Sequence, residues 1–224
     1  MPNMEGIDPA KFAAPPPQVV KREEAETGHH CFQVSQMITK IEKVRRKQAI
    51  QTAEGYLDLA MVFDGCWPLD VSHRRKLAEL TIACLAKIGK PQGHKPYILF
   101  LKGQAARLAE QYKKAVAYLE QSARIDPDNL HTLLALGWCY KRIQRTDLAI
   151  EALEIAVQVD RDSAIAHYNL ACYCSLANHP RFAVLHLSNA IALNPDYRKR
   201  VATEADFDPI RDDASFVELT SLFV

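Results

Sequence analysis

Glycine is scarce, eight in 224 residues, and nowhere do glycines gather into a phosphate-cradling loop. That removes the commonest nucleotide-binding signature. A surplus of one charge is missing too: 28 Lys and Arg against 27 Asp and Glu leave a net charge of +1. The whole molecule therefore has no electrostatic pull toward nucleic acid or an acidic membrane. Apolar runs are short, with 133–136 among the longest, far below the roughly 20 residues of a membrane span. The six cysteines, at 31, 66, 84, 139, 172 and 174, form no regular framework. Cys139, Cys172 and Cys174 lie in apolar helical stretches, where a free thiol behaves as a small hydrophobe. With no signal-peptide pattern, these features predict a soluble protein of the reducing cytoplasm.

Groups for catalysis are equally sparse. His29-His30-Cys31 has metal-ligand types but no second cluster to complete a site. Cys172 and Cys174, two apart on a helix, point to different faces and cannot grip one ion. His167, His179 and His186 read as packing or surface histidines. The acidic run Asp206, Asp208, Asp212 and Asp213 lacks the glycine and terminal Glu of a calcium loop, so it reads as caps and turns. No catalytic residue, metal or cofactor is expected, and the chain reads as a non-enzyme.

What is present is a period of 34 residues. Gly103, Gly137 and Ala171 form one column. Ala115, Ala149 and Ala183 form another, as do Leu119, Leu153 and Leu187. Ser122, Ala156 and Ala190 follow, then Pro127, Arg161 and Pro195. Each unit reads as two antiparallel helices, A and B, that cannot bury their apolar stripes alone and must stack on a neighbour. The small columns mark where A and B cross closely, and the leucine column fills the gap to the next unit. Pro127 and Pro195 stop helix B, because the ring removes a hydrogen bond and disfavours helix just before it.

The middle unit, Leu133-x-x-Leu136-Gly137-x-x-Tyr140 followed by Ala149-x-x-x-Leu153-x-x-Ala156, resembles a tetratricopeptide repeat. Further on, His167-Tyr168-Asn169-Leu170-Ala171-Cys172-Tyr173 precedes Asp206-Phe207-Asp208-Pro209-Ile210-Arg211-Asp212-Asp213-Ala214-Ser215-Phe216. That pair resembles bacterial tetratricopeptide proteins with an end-of-group terminal module. The resemblance covers residues 96–220 and implies an all-α, right-handed superhelical array of antiparallel helix pairs, acting as an adaptor or scaffold without catalytic residues. It names no partner.

Four regions follow from the chain's own texture. Residues 1–33 read as a disordered Pro-rich tail, since five of the twelve prolines precede residue 20 and 21–30 are polar. Residues 34–92 read as a helical N-terminal extension, a degenerate hairpin with Val34, Ile38, Ile41 and Val44 at helical spacing, and with Asp70 or Ser72 as a cap. Three regular units follow at 96–129, 130–163 and 164–197, with Thr146 and Ser163 or Asp162 as caps. Residues 198–224 read as a capping segment in which Phe207, Ile210, Phe216 and Leu219 cover the last apolar face.

Helix A of such a unit lines a concave wall at positions 2, 5, 9 and 12. That predicts Tyr97, Phe100, Gln104 and Arg107 from unit one, and His131, Leu134, Trp138 and Lys141 from unit two. Unit three contributes Ile165, Tyr168, Cys172 and Ser175, with Arg142 and Asn169 beside them. Aromatics framed by arginines suit a partner peptide or helix with an apolar anchor and some acidic character. Self-filling of the groove or homo-oligomerisation is the competing expectation. The family's clamp for chaperone C-termini is not expected, because Phe100, Gln104, Ala135, Ile165 and Asn169 replace its Lys, Asn and Arg positions. Two other classes stand as alternatives: chaperone-like shielding of a hydrophobic partner segment, and an RNA-binding accessory using Lys40, Lys43, Arg45, Arg46 and Lys47. The basic residues wrap around a helix without interleaved aromatics, which argues against nucleic acid. A membrane surface is set aside because the neighbouring apolar residues are assigned to the helical bundle.

Overall fold

The computed structural model describes residues 20–61, 69–88 and 95–221, with side chains from residue 36 onward. The chain divides into two compact units, Met1–Arg46 and Lys47–Val224. Helix α1 (Val20–Met61) crosses that division. The boundary expected at residue 33 does not mark a change of structure, because helical backbone already begins at Val20. The reason is intrinsic propensity. Lys21, Arg22, Glu23, Glu24, Ala25 and Glu26 are strong helix formers, and polarity by itself does not oppose a helix. Residues 1–19, and with them the Pro-rich segment, lie outside the described residues.

In the second unit every described element is helical. After α1 come α2 (Val71–Ala86), α3 (Lys95–Leu108), α4 (Tyr112–Ile125), α5 (Leu130–Arg142) and α6 (Thr146–Val159). They are followed by α7 (Ala164–Leu176), α8 (Pro180–Leu193), the short α9 (Tyr197–Val201), a 3-10 segment (Ala205–Ile210) and α10 (Ala214–Ser221). Helices pack pairwise as α3 on α4, α5 on α6 and α7 on α8, and each pair leans on the next through α4 with α5 and α6 with α7. The architecture is an all-α stack of antiparallel pairs.

Glycine sets the crossings. A Cβ added at Gly103 would fall 2.6 Å from Leu119 Cγ, and one at Gly137 2.9 Å from Leu153 Cγ. In the third pair Ala171 and Leu187 are both fully buried. One apolar cluster runs from Ala106 through Leu133, Leu153 and Leu170 to Phe207 and Phe216. A second joins Ala53 and Leu57 of α1 to Ala78 and Leu85 of α2, and both to Ile98 and Leu101 of α3. Phe100 touches both clusters.

The turn between helices A and B repeats as strictly as the core. Glu110, Gln144 and Asn178 have φ of 60°, 61° and 57°. In the middle unit the Arg145 N–H donates to Tyr140 O (2.9 Å) and the Gln144 N–H to Lys141 O (3.0 Å). The same pair of bonds recurs from Gln111 to Ala106 and Glu110 to Arg107, and from His179 to Cys174 and Asn178 to Ser175. This is the Schellman arrangement, which satisfies helix-end carbonyls at the expense of one left-handed residue. Of the expected caps, Asp70 accepts from the N–H groups of Ser72 (2.6 Å) and His73 (3.1 Å). The Ser72 side chain first, then the His73 backbone and ring, hold its carboxyl well below the usual range. Thr146 is not a cap but the first helical residue; Arg145 precedes it without a side-chain capping bond. Ser163 occupies the cap position of α7, also without one. Asn129 does cap α5, its Oδ1 accepting from the Thr132 N–H at 3.0 Å.

Two substitutions test this packing. Gly137→Leu forces Leu153 aside and is expected to lower stability by about 1–3 kcal/mol in denaturant unfolding; an unchanged midpoint contradicts the close crossing. Gln144→Gly relieves a side chain held in left-handed geometry and is expected to raise stability by up to about 1 kcal/mol. A lowered melting temperature for that variant contradicts the turn geometry.

Candidate functional site

The wall expected to be concave is the face of each helix A opposite its small-residue column. Trp138 follows Gly137 directly, so the roughly 100° step per residue turns the indole away from helix B while glycine faces it. The indole is half-buried among charged and aromatic groups from three helices. Arg107 of α3 places its guanidinium carbon 5.2 Å from the ring centroid, and Arg142 of α5 places its own at 4.7 Å. Tyr112, the first residue of α4, meets the indole edge-on at 5.5 Å. Both guanidiniums lie within cation–π range of one ring, an arrangement that concentrates positive charge beside an aromatic surface.

The expected residues separate into groups. Tyr97 and Phe100 stack at 6.1 Å, and the Tyr97 hydroxyl donates to Glu54 Oε1 at 2.6 Å. Burial, then that bond, pushes the phenol up to about 12. Gln104 keeps its Oε1 shielded from solvent with no donor upon it. His131 is exposed and Leu134 half-buried on α5.

Unit three differs. Tyr168, expected on an open wall, is only 4% exposed. Its ring stacks on Tyr197 at 4.4 Å and meets Phe207 edge-on at 5.9 Å, and Phe207 rests against Phe216 at 5.5 Å. Lys141 is drawn into the same arrangement, forming an ion pair with Asp206 and lying 5.5 Å over the Tyr173 ring. Cys172 and Ser175 are buried, Asn169 is half-buried and Ile165 is exposed. The chain's own closing segment thus covers Tyr168 and Cys172 of the third unit and engages Lys141, and it leaves Trp138, Arg107 and Arg142 in a separate cluster. Tyr112 and Tyr197 were outside the sequence-based set, since neither sits on a helix A; an aromatic at the first residue of α4 was the available signal.

Reactive chemistry is muted. Burial pushes the thiols of Cys139 and Cys174 up to about 11, and that of Cys172 upward too, so all three stay protonated at neutral pH. Among the described residues no group of three or more His, Cys, Asp or Glu side chains is placed to hold a metal ion. His167 and His186 do meet, with Nδ1 to Nδ1 at 3.0 Å, beside a cavity of about 500 Å³ lined by Val157, Gln158, Arg161 and Leu193. The His167 Nε2–H is assigned as the donor to Arg161 O (3.1 Å), which leaves His167 Nδ1 to accept from His186.

The sequence profile of the family described as tetratricopeptide repeat matches residues 106–171. Those residues run from the end of α3 into α7, the stretch that carries the glycine–leucine crossing of the middle pair. Residues 106–171 are tetratricopeptide-repeat sequence. The chain's fold is shared with solved structures of MamA. One, from AMB-1, is 18% identical over 74% of this chain and 98% of that one, with a TM-score of 0.50. A double mutant from RS-1 is 17% identical over 77% and 96%, with a TM-score of 0.51. YrrB, titled a tetratricopeptide protein with an unusual peptide-binding site, aligns at 17% identity and a TM-score of 0.49 over 59% of this chain and 65% of its own. At these identities the likeness concerns the fold. None of the curated proteins matches.

Burial, and then the neighbouring His167, lower the His186 pKa below its ordinary value of 6.5. The folded state therefore binds its proton later than the unfolded chain as pH falls. The contribution is intact above the unfolded value near 6.5 and is lost as pH falls below it. His186→Gln is expected to flatten the decline in melting temperature between about pH 7.5 and pH 5.5. Equal declines in variant and parent contradict the pairing.

Proposed function

We propose that this protein is a non-catalytic adaptor that binds a partner protein segment in the concave groove of its first two units. Tetratricopeptide arrays are protein-interaction scaffolds, and the groove reading refines that to a place and a chemistry. The observation that supports it is Trp138 held between Arg107 and Arg142 on a stretch of wall separate from the closing segment. Tryptophan and arginine dominate interface energetics because they bury large areas and still present donors. The partner segment carries an apolar or aromatic side chain for the indole and a carboxylate for the guanidiniums. Tyr97, Phe100, Gln104, His131, Leu134 and Lys141 line the flanks, with Tyr168 and Asn169 reached only if the closing segment is displaced.

Affinity capture from the source organism, with the full chain as bait and the bound protein identified by mass spectrometry, tests this reading. Trp138→Ala is expected to reduce capture of that protein by more than about 10-fold. Phe182→Ala, which removes an exposed aromatic from α8, is expected to leave capture unchanged. Equal capture by Trp138→Ala and parent overturns the groove assignment.

A further inference from the structure

The first unit holds an apolar surface. Met37, Ile38, Ile41 and Val44 of α1 are 60%, 52%, 46% and 55% exposed. At helical spacing the four fall within an arc of about 120°. The sequence-based exclusion of a membrane surface assumed that Ile38, Ile41 and Val44 were consumed by packing; they are exposed instead. Lys40, Lys43 and Arg46 project outside the arc, while Arg45 continues the apolar stripe at its C-terminal end. With Glu42 the sole acid over residues 36–46, the segment carries four positive charges against one negative. None of these five charged side chains forms an ion pair with a described residue.

Charge and length decide what covers this face. A second copy of α1 docking stripe to stripe would place Lys40 and Arg45 along the seam. Parallel pairing opposes Lys40 to Arg45, and antiparallel pairing opposes each to its own kind, so both orientations repel. The apolar stripe also spans only about two helical turns, because Gln48 and Gln51 occupy its continuation. That is short for a helix-to-helix interface, which needs sustained register. A flat anionic interface needs neither register nor length. Four apolar side chains sink below the headgroups while the long lysine and arginine stems reach outward to phosphate. No helix among the described residues is long and apolar enough to cross a membrane, so such an attachment is peripheral.

We propose that residues 36–46 form a basic amphipathic surface that binds anionic lipid bilayers in the plane of the interface. Co-sedimentation of the full chain with vesicles of mixed phosphatidylglycerol and phosphatidylcholine, against phosphatidylcholine alone, tests it. Binding is expected to favour the anionic vesicles by at least about tenfold and to fall steeply as salt rises. Ile41→Asp, and separately the triple change Lys40→Glu, Lys43→Glu, Arg46→Glu, are each expected to weaken it by at least about tenfold. Because Lys40, Ile41 and Lys43 are exposed and Arg46 is only half-buried, circular dichroism and melting temperature should match the parent. Failure of the parent to sediment with anionic vesicles at low salt overturns the proposal, as does undiminished binding by both variants. Two further results also overturn it: binding to soluble polyglutamate without binding to vesicles, which assigns the face to an acidic protein, and a parent dimer that Ile41→Asp converts to monomer.

Discussion

In the first two repeat units a leucine side chain lies where a glycine has no Cβ. Leu119 over Gly103 and Leu153 over Gly137 bring helices A and B nearer than any other residue would allow, and Ala171 under Leu187 continues the series. That separation fixes the angle within each hairpin, and repetition of one angle aligns successive helices A into a wall. The face opposite each glycine is then the one proposed as the concave surface. The same residue type that lets the core close therefore turns Trp138 outward. A wider crossing would change the spacing between Arg107 on one unit and Trp138 on the next, and with it the cation–π geometry.

Part of the wall so formed is covered by the chain itself. Tyr168, Tyr197, Phe207 and Phe216 make a continuous aromatic series that caps the last apolar face, and the Lys141–Asp206 pair borders it. A solenoid needs such a lid, because its terminal repeat has no neighbour to cover it. Here the lid is the 3-10 segment on α7, and it covers Tyr168 and Cys172 of the expected groove. Trp138 and Arg142 of the middle unit, with Arg107 of the first, stand apart from that lid.

Much of this was legible because a strict period multiplies weak signals. One small residue at one position says little, but Gly103, Gly137 and Ala171 in register say that two helices cross. Other features were hidden for identifiable reasons. The left-handed turn residues are Glu110, Gln144 and Asn178, and without glycine the column does not advertise a helix stop. Helix over 20–33 left no apolar period because its side chains are mostly polar, so propensity had to be read where burial gave nothing. Contacts such as Tyr168 with Tyr197 and Phe207 join residues about 30 to 40 apart, a separation at which local pattern is silent. Ile38, Ile41 and Val44 show the limit from the other side: periodicity identifies an apolar face but not whether the fold covers it.

The central claim, a concave wall open at Trp138 and closed at Tyr168, is tested most directly by hydroxyl-radical footprinting of the native full chain with residue-level mass spectrometry. The account predicts ready oxidation of Trp138 and Tyr97 together with strong protection of Tyr168 and Phe207. Protection of Trp138 to the level of Phe207, or oxidation of Tyr168 to the level of Tyr97, would contradict it.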